Sequence, residues 1–149
     1  MSRIPSRLLT VAKINDLPVS FFTPPHDEPD FPWVSVRDLV VALEGDEETA
    51  DRFVRHTWNF NEKNDVYTTA KDGDRIVTII PHVMAQGIAG AFDEKNGFVA
   101  TEDEDAGPCH WAYCIAAGRT AVDHWPLSFQ EMFAALENCG GPYMAALRA

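Results

Sequence analysis

The stretch Pro108-Cys109-His110-Trp111-Ala112-Tyr113-Cys114, followed by Asp123-His124-Trp125, holds the densest set of side chains able to bind a metal or attack a carbonyl. On a helix, His110 and Cys114 lie four residues apart and share a face, the spacing that two metal ligands need. Cys109 points about 140° away from Cys114 at helical periodicity, so a third ligand would have to come from His124 in the following loop. Closed zinc sites use paired C-x2-4-C or H-x3-5-H knuckles, and this chain has neither in duplicate. Small buried thiols beside aromatic rings account for the same residues. A nucleophilic reading pairs the Cys114 thiol with His124 or His110, with Asp123 orienting His124, as a thiol- or zinc-dependent hydrolase would require. Adjacent Cys109 and His110 cannot readily face each other. His26, His56 and His82 stand alone and read as surface or capping residues. No phosphate loop, dinucleotide fingerprint or H-E-x-x-H occurs. The residues therefore assign no catalytic group, no metal and no cofactor.

Charge says more. The chain has 149 residues and a net charge of −11, with 12 basic residues against 23 acidic ones and no basic run. Affinity for nucleic acid rests on Lys and Arg displacing counterions, so direct binding to DNA or RNA is disfavoured. The acidic residues fall into two groups: Glu44, Asp46, Glu47, Glu48 and Asp51, and then Glu102, Asp103, Glu104 and Asp105. Together they could form a negative face for a basic protein partner, or imitate a nucleic-acid backbone and block a defence or transcription protein. Ordinary solvation of a helix start and a loop is the simpler account of them. Three cysteines, an odd number, and no early apolar leader point to a reducing, cytoplasmic setting. No window is long and apolar enough for a bilayer, so no membrane role is expected.

The elements that position these groups are readable from periodicity. An apolar fraction of 46 % with nine Phe, four Trp and three Tyr supports an ordinary core. Runs at 7–14 and 17–22, separated by Asn15-Asp16, predict a hairpin. Thr23 to Asp30, with three prolines, predicts an exposed loop. Phe31 to Ser35 predicts a strand that turns into a helix at Val36, with Ser35 and Asp38 as a capping box. Asp46 predicts the cap of a second helix ending near Trp58, with Asn59 to Asn64 as a loop. Strands at 66–70 and 75–80 flank Lys71-Asp72-Gly73-Asp74 as a second hairpin. A helix follows from Pro81 to Phe92, in which Gly87 and Gly90 suggest close approach to a neighbour. Asp93 to Gly107 carries six carboxylates against Lys95 alone and reads as a linker. Beyond it come a helix from Pro108 to Ala117, ended by Gly118, and a capping box at Ser128-Phe129-Gln130-Glu131. That box opens a helix with Phe129, Met132, Phe133 and Leu136 inward.

The expected class is α+β: a small, mostly antiparallel sheet of two hairpins packed with short helices, plus a helical C-terminal part. Residues 1–92 form the module, 93–107 the acidic linker, and 108–149 the helical part packed on the same domain. Trp111, Trp125 and Tyr143 raise a homodimer through an apolar face, although core packing explains them equally well.

At Trp33-Val34-Ser35-Val36-Arg37-Asp38-Leu39-Val40-Val41-Ala42-Leu43 the chain resembles the N-terminal domains of phage antirepressors, including the related Bro-N group. The resemblance extends to basic positions on the next helix, Arg52 and Arg55, to the hairpin Thr68 to Pro81, and to the apolar helix Val83 to Phe92. It implies an α+β module in phage or prophage regulation that works through protein or nucleic-acid contacts, and it carries over no catalytic residue. The leading expectation is a non-enzymatic, cytoplasmic regulatory protein that binds another protein.

Overall fold

A computed structural model describes residues 3–43, 45–64 and 68–141, with the side chains of 60–64 left aside. Five strands form one antiparallel sheet: β1 (Leu8–Ile14), β2 (Leu17–Phe22), β3 (Trp33–Ser35), β4 (Thr68–Asp72) and β5 (Arg75–Ile80), in the order β1-β2-β3-β5-β4. Among the described residues five helices accompany them: α1 (Val36–Ala42), α2 (Glu47–Asn64), α3 (His82–Lys95), α4 (Pro108–His124) and α5 (Phe129–Glu137). The fold is α+β, as expected.

Local chemistry explains both hairpins. Asn15 and Asp16 take φ of 52° and 65°, the two positive values of a tight turn whose twist matches the strands it joins. Gly73 takes φ of 62° between β4 and β5, where a residue with a Cβ would be strained. Strand alternation then builds two cores. Val19, Phe21, Val34 and Ile80 face α1, α3 and α4 in the main core, whereas Phe22, Trp33, Val77 and Ile79 cluster on the other side with Ala70. Tyr113, Ala116 and Ala117 of α4 belong to that main core, and α4 packs on α3 and β1.

Ser35 caps α1 by accepting from the Asp38 N–H at 3.2 Å. The reciprocal half of the box is absent, because the Asp38 carboxylate accepts instead from the Ser20 N–H and from Arg75. Gly45 closes the helix, donating its N–H to the Val40 carbonyl at 2.8 Å; a Cβ there would collide with Val40 at 2.6 Å.

Several sequence expectations fail for identifiable reasons. Helix α2 runs to Asn64 rather than stopping near Trp58; no proline or glycine interrupts 59–64, and polarity alone does not break a helix. Helix α4 passes through Gly118 to His124, since a mid-helix glycine costs only about 1 kcal/mol against the buried face of Tyr113, Ala116, Ala117 and Thr120. Gly87 and Gly90 admit no close neighbour, because a Cβ at either meets nothing within 4 Å. The loop from Thr23 to Asp30 is exposed only around Asp27 and Glu28; Thr23, Pro24, Pro25, His26 and Asp30 are buried. On α5, Phe129, Met132, Phe133 and Leu136 point outward rather than inward, and Ala135 is the buried residue. The expected strand residue Val66, the acidic Glu44 and the aromatic Tyr143 lie outside the described residues.

Candidate functional site

Helix α4 starts with Pro108 at its first position and has Gly107 as its N-cap. Lacking a side chain, Gly107 cannot cap; the cap comes from Asp93, near the end of α3. Its carboxylate accepts from the backbone N–H groups of Cys109 at 2.8 Å and His110 at 3.0 Å. Asp93 is buried, so it is no linker residue: it joins α3 to α4 by satisfying orphan donors at a positive helix end.

His110 and Cys114 do share a face of α4, with Cys114 Sγ 3.4 Å from His110 Nε2. Gln86 of α3 donates its amide to the same sulfur at 3.8 Å. Burial pushes the Cys114 thiol up from its ordinary value, which keeps it protonated and a poor nucleophile. On the adjoining, buried face of α4, the Tyr113 hydroxyl lies 2.6 Å from His82 Nδ1. The Phe31 ring covers His82 at a centroid distance of 4.9 Å. Desolvation lowers the His82 pKa to about 4, with the charge of Asp30 opposing and His110 reinforcing the shift. Burial likewise drives the Tyr113 phenol well above its usual range. Burial thus keeps both the Cys114 thiol and the Tyr113 phenol protonated at physiological pH.

Two residues proposed from sequence do not join it. His124 ends α4, ten residues beyond Cys114 and so about 15 Å along the axis. Asp123 lies at that same far end. Among the described residues, no group of three or more His, Cys, Asp or Glu is placed to hold a metal ion. Cys114, His124 and Asp123 are therefore not brought together as a hydrolytic triad.

Of the isolated histidines, His56 is exposed as expected, but His82 and His26 are not. His26 is buried with its Nε2 3.1 Å from the Asp30 carboxylate. Asp30, wholly buried, also accepts from Trp33 Nε1 at 2.8 Å, from the Phe31 N–H at 2.8 Å and from the Gly140 N–H at 3.1 Å, while its carbonyl accepts from Trp125 Nε1 at 3.2 Å. The proline-rich loop, the end of α4 and the end of α5 therefore meet on one residue, the α5 end at the Asp30 carboxylate and the α4 end at its carbonyl. Sequence reading missed this hub because a carboxylate beside three prolines looks like a loop residue.

The first acidic group is largely engaged locally. Asp46 caps α2 by accepting from the Thr49 N–H at 2.7 Å, and that backbone bond holds its pKa below the usual value. Glu47 accepts from Arg37 at 2.6 Å, and Asp51 pairs with the same guanidinium. Glu48 remains exposed without such a partner among the described residues.

The second group is different. Glu102, Asp103, Glu104 and Asp105 are all exposed, in a turn closed by Thr101: its N–H donates to the Glu104 carbonyl at 2.8 Å, and its hydroxyl accepts from the Glu104 N–H at 3.1 Å. None of the four meets a cation within ion-pair distance among the described residues. Beside them a concavity of about 380 Å³ is lined by Asp93, Glu94, Phe98, Asp105, His110 and Trp111. A second groove of about 380 Å³, between α2 and α3, carries Arg52, His56 and Lys95 over Phe53 and Phe92. This basic groove shares no lining residue with the concavity beside the acidic turn.

No helix among the described residues is long and apolar enough to cross a membrane. Comparison with protein-family models, with curated proteins and with solved structures gives no match.

Proposed function

We propose that this chain is a non-enzymatic regulatory module that acts by binding another protein, one that presents a basic surface. The observation that carries the reading is the Glu102–Asp105 turn: four consecutive carboxylates, exposed, held in a defined turn and paired with no described cation. A partner's Lys and Arg side chains would meet these carboxylates and the neighbouring Glu94–Asp105 concavity, with the charge of −11 raising the encounter rate. Burial keeps the Cys114 thiol protonated and a poor nucleophile, which supports a binding role over a hydrolytic one. The order hairpin, strand, helix, helix, hairpin, helix supports the resemblance to phage antirepressor N-terminal domains, and with it a role in phage or prophage regulation.

Affinity capture from the source cell, with wild type and with Glu102→Gln/Asp103→Asn/Glu104→Gln/Asp105→Asn compared at low and physiological salt, tests this. Wild type should retain a stoichiometric basic partner that the variant loses and that salt weakens. Capture by both proteins alike, or by neither, would refute the reading. If the captured partner binds nucleic acid, competition between the chain and that nucleic acid would assign the acidic turn to mimicry, whereas simultaneous binding would assign it to regulation by docking elsewhere.

A further inference from the structure

The groove between α2 and α3 gathers positive charge on a chain whose net charge is −11. Arg52 and His56 stand one turn apart on the same face of α2, and Lys95 reaches the groove from the last turn of α3. The chain carries 23 acidic residues, yet among the described residues no carboxylate lines this groove. Arg52 and Lys95 make no ion pair among the described residues. Two carboxylates lie near in sequence. Glu48, one turn before Arg52, is exposed and does not pair with it, and Asp46 is committed to the Thr49 N–H at 2.7 Å.

The floor is aromatic. Phe53 and Phe92 stack with ring centroids 5.7 Å apart and planes 28° from parallel. Lys95 Nζ stands 5.9 Å from the centre of the Phe92 ring, the outer limit of a cation–π contact, so the ring satisfies little of the charge. Arg52 has one weak contact, to the Thr49 hydroxyl at 3.3 Å. The groove encloses about 380 Å³, within the roughly 300–1,000 Å³ of small-molecule sites, which likewise combine apolar walls with a few convergent polar groups.

We infer that this groove binds a small organic anion: a carboxylate or phosphate head held between Arg52 and Lys95, on a flat aromatic body laid against Phe53. Arg52 offers a planar fork that takes either head group bidentately, and Lys95 adds a point charge from the opposite helix. His56 contributes a ring nitrogen one turn along α2. Phe53 is half-buried and Phe92 buried, so Phe53 is the ring that an uncharged body can cover.

Charge decides between this occupant and a larger one. The work of bringing an anion up to an acidic chain grows with the anion's own charge. A nucleic-acid strand is penalised at every phosphate, a singly or doubly charged molecule far less. Nor does the acidic turn of a second copy fit: Glu102 to Asp105 are four carboxylates between Thr101 and Ala106, with no ring or long apolar chain to lie on Phe53.

Titration of the isotope-labelled full chain with naphthoate and with naphthyl phosphate, followed by backbone amide chemical shifts, tests this. At least one should saturate, with the largest shifts at Arg52, Phe53, His56, Ala91 and Lys95. Naphthalenemethanol keeps the rings without the charge, and inorganic phosphate keeps the charge without the rings; each should bind about tenfold more weakly or worse. Arg52→Gln and Lys95→Gln, both at exposed positions, should each weaken binding of the saturating anion about threefold or more with the thermal midpoint held. Arg55→Gln removes the same charge from α2 outside the groove and should change it little. The absence of a saturable shift with either anion would overturn the inference. So would shifts centred elsewhere, equal affinity for naphthalenemethanol, or an Arg55→Gln loss that matches Arg52→Gln. Capture of a basic partner through the acidic turn is read with different variants, so either proposal can fail without the other.

Discussion

The Asp93 carboxylate occupies the space that a side chain at Gly107 would fill: a Cβ built there lies within collision distance of the carboxyl carbon and both its oxygens. The glycine and the acid form one device, a helix cap supplied from another helix, and it attaches α4 to α3.

Asp93→Ala should therefore cost about 1–3 kcal/mol, leaving the Cys109 and His110 N–H groups without their acceptor. Gly107→Ala should be destabilising too, although alanine is otherwise a better residue than glycine in most backbones. In urea unfolding the two losses should be strongly non-additive, since either change disrupts the same contact. Additive effects would show that the cap and the glycine act separately.

A larger loss is expected at the hub. Asp30→Ala leaves Trp33 Nε1 and the Gly140 N–H without their buried acceptor, so destabilisation of roughly 3 kcal/mol or more is expected. Hydrogen exchange should accelerate at Gly140 and along α5 before it does in the sheet, because Asp30 is what ties that end of the chain to the loop. Uniform acceleration across the molecule would place the hub in the global core instead.

Stability should fall as pH is lowered through the histidine range. His82 in the folded chain has a pKa of about 4, below its ordinary 6.5, so between those values the unfolded state binds the extra proton and folding loses ground. The full effect, reached near pH 4, is of the order of 2–3 kcal/mol. Carboxylates held low by their partners, among them Asp72 beneath the Ser20 hydroxyl and Glu131 at the α5 capping box, add to the loss as pH falls through the carboxylate range. Urea midpoints at pH 7 and pH 5 isolate the histidine: His82→Gln should flatten the difference, and an unchanged slope would assign it elsewhere.

Cys114 should react slowly. Its thiol titrates above the ordinary value because of burial, so iodoacetamide at pH 7 should label it more slowly than it labels a free cysteine, about tenfold more slowly if access is also reduced. Peptide mapping after native labelling reads this directly. Preferential fast labelling of Cys114 at neutral pH would indicate a thiolate and revive the hydrolase reading.

Much of the architecture was legible in residue order because its causes are local. Asn15-Asp16 and Gly73 tolerate the positive φ that their turns require, Ser35, Asp46 and Ser128 cap the helices that follow them, and β2 and β5 are the β-branched and aromatic runs of the sheet. The same locality made His110 and Cys114 recognisable as neighbours one helical turn apart. Helix ends were less legible: Gly118 and the polar 59–64 segment look like stops, yet α4 runs through the glycine because its buried face outweighs propensity, and α2 runs through 59–64 because polarity alone does not break a helix.

What only the tertiary structure decided is the role of each charged or apolar side chain whose partner lies far along the chain. Asp30 and Asp93 look like solvated loop acids by sequence and are buried acceptors in the fold, bound to groups 110 and 16–17 residues away. Phe129, Met132, Phe133 and Leu136 have the period of a buried stripe, yet they face outward, because periodicity says that one face of a helix is apolar and not which body covers it. A carboxylate's environment and a helix face's partner are properties of the assembled surfaces, and no local pattern encodes them.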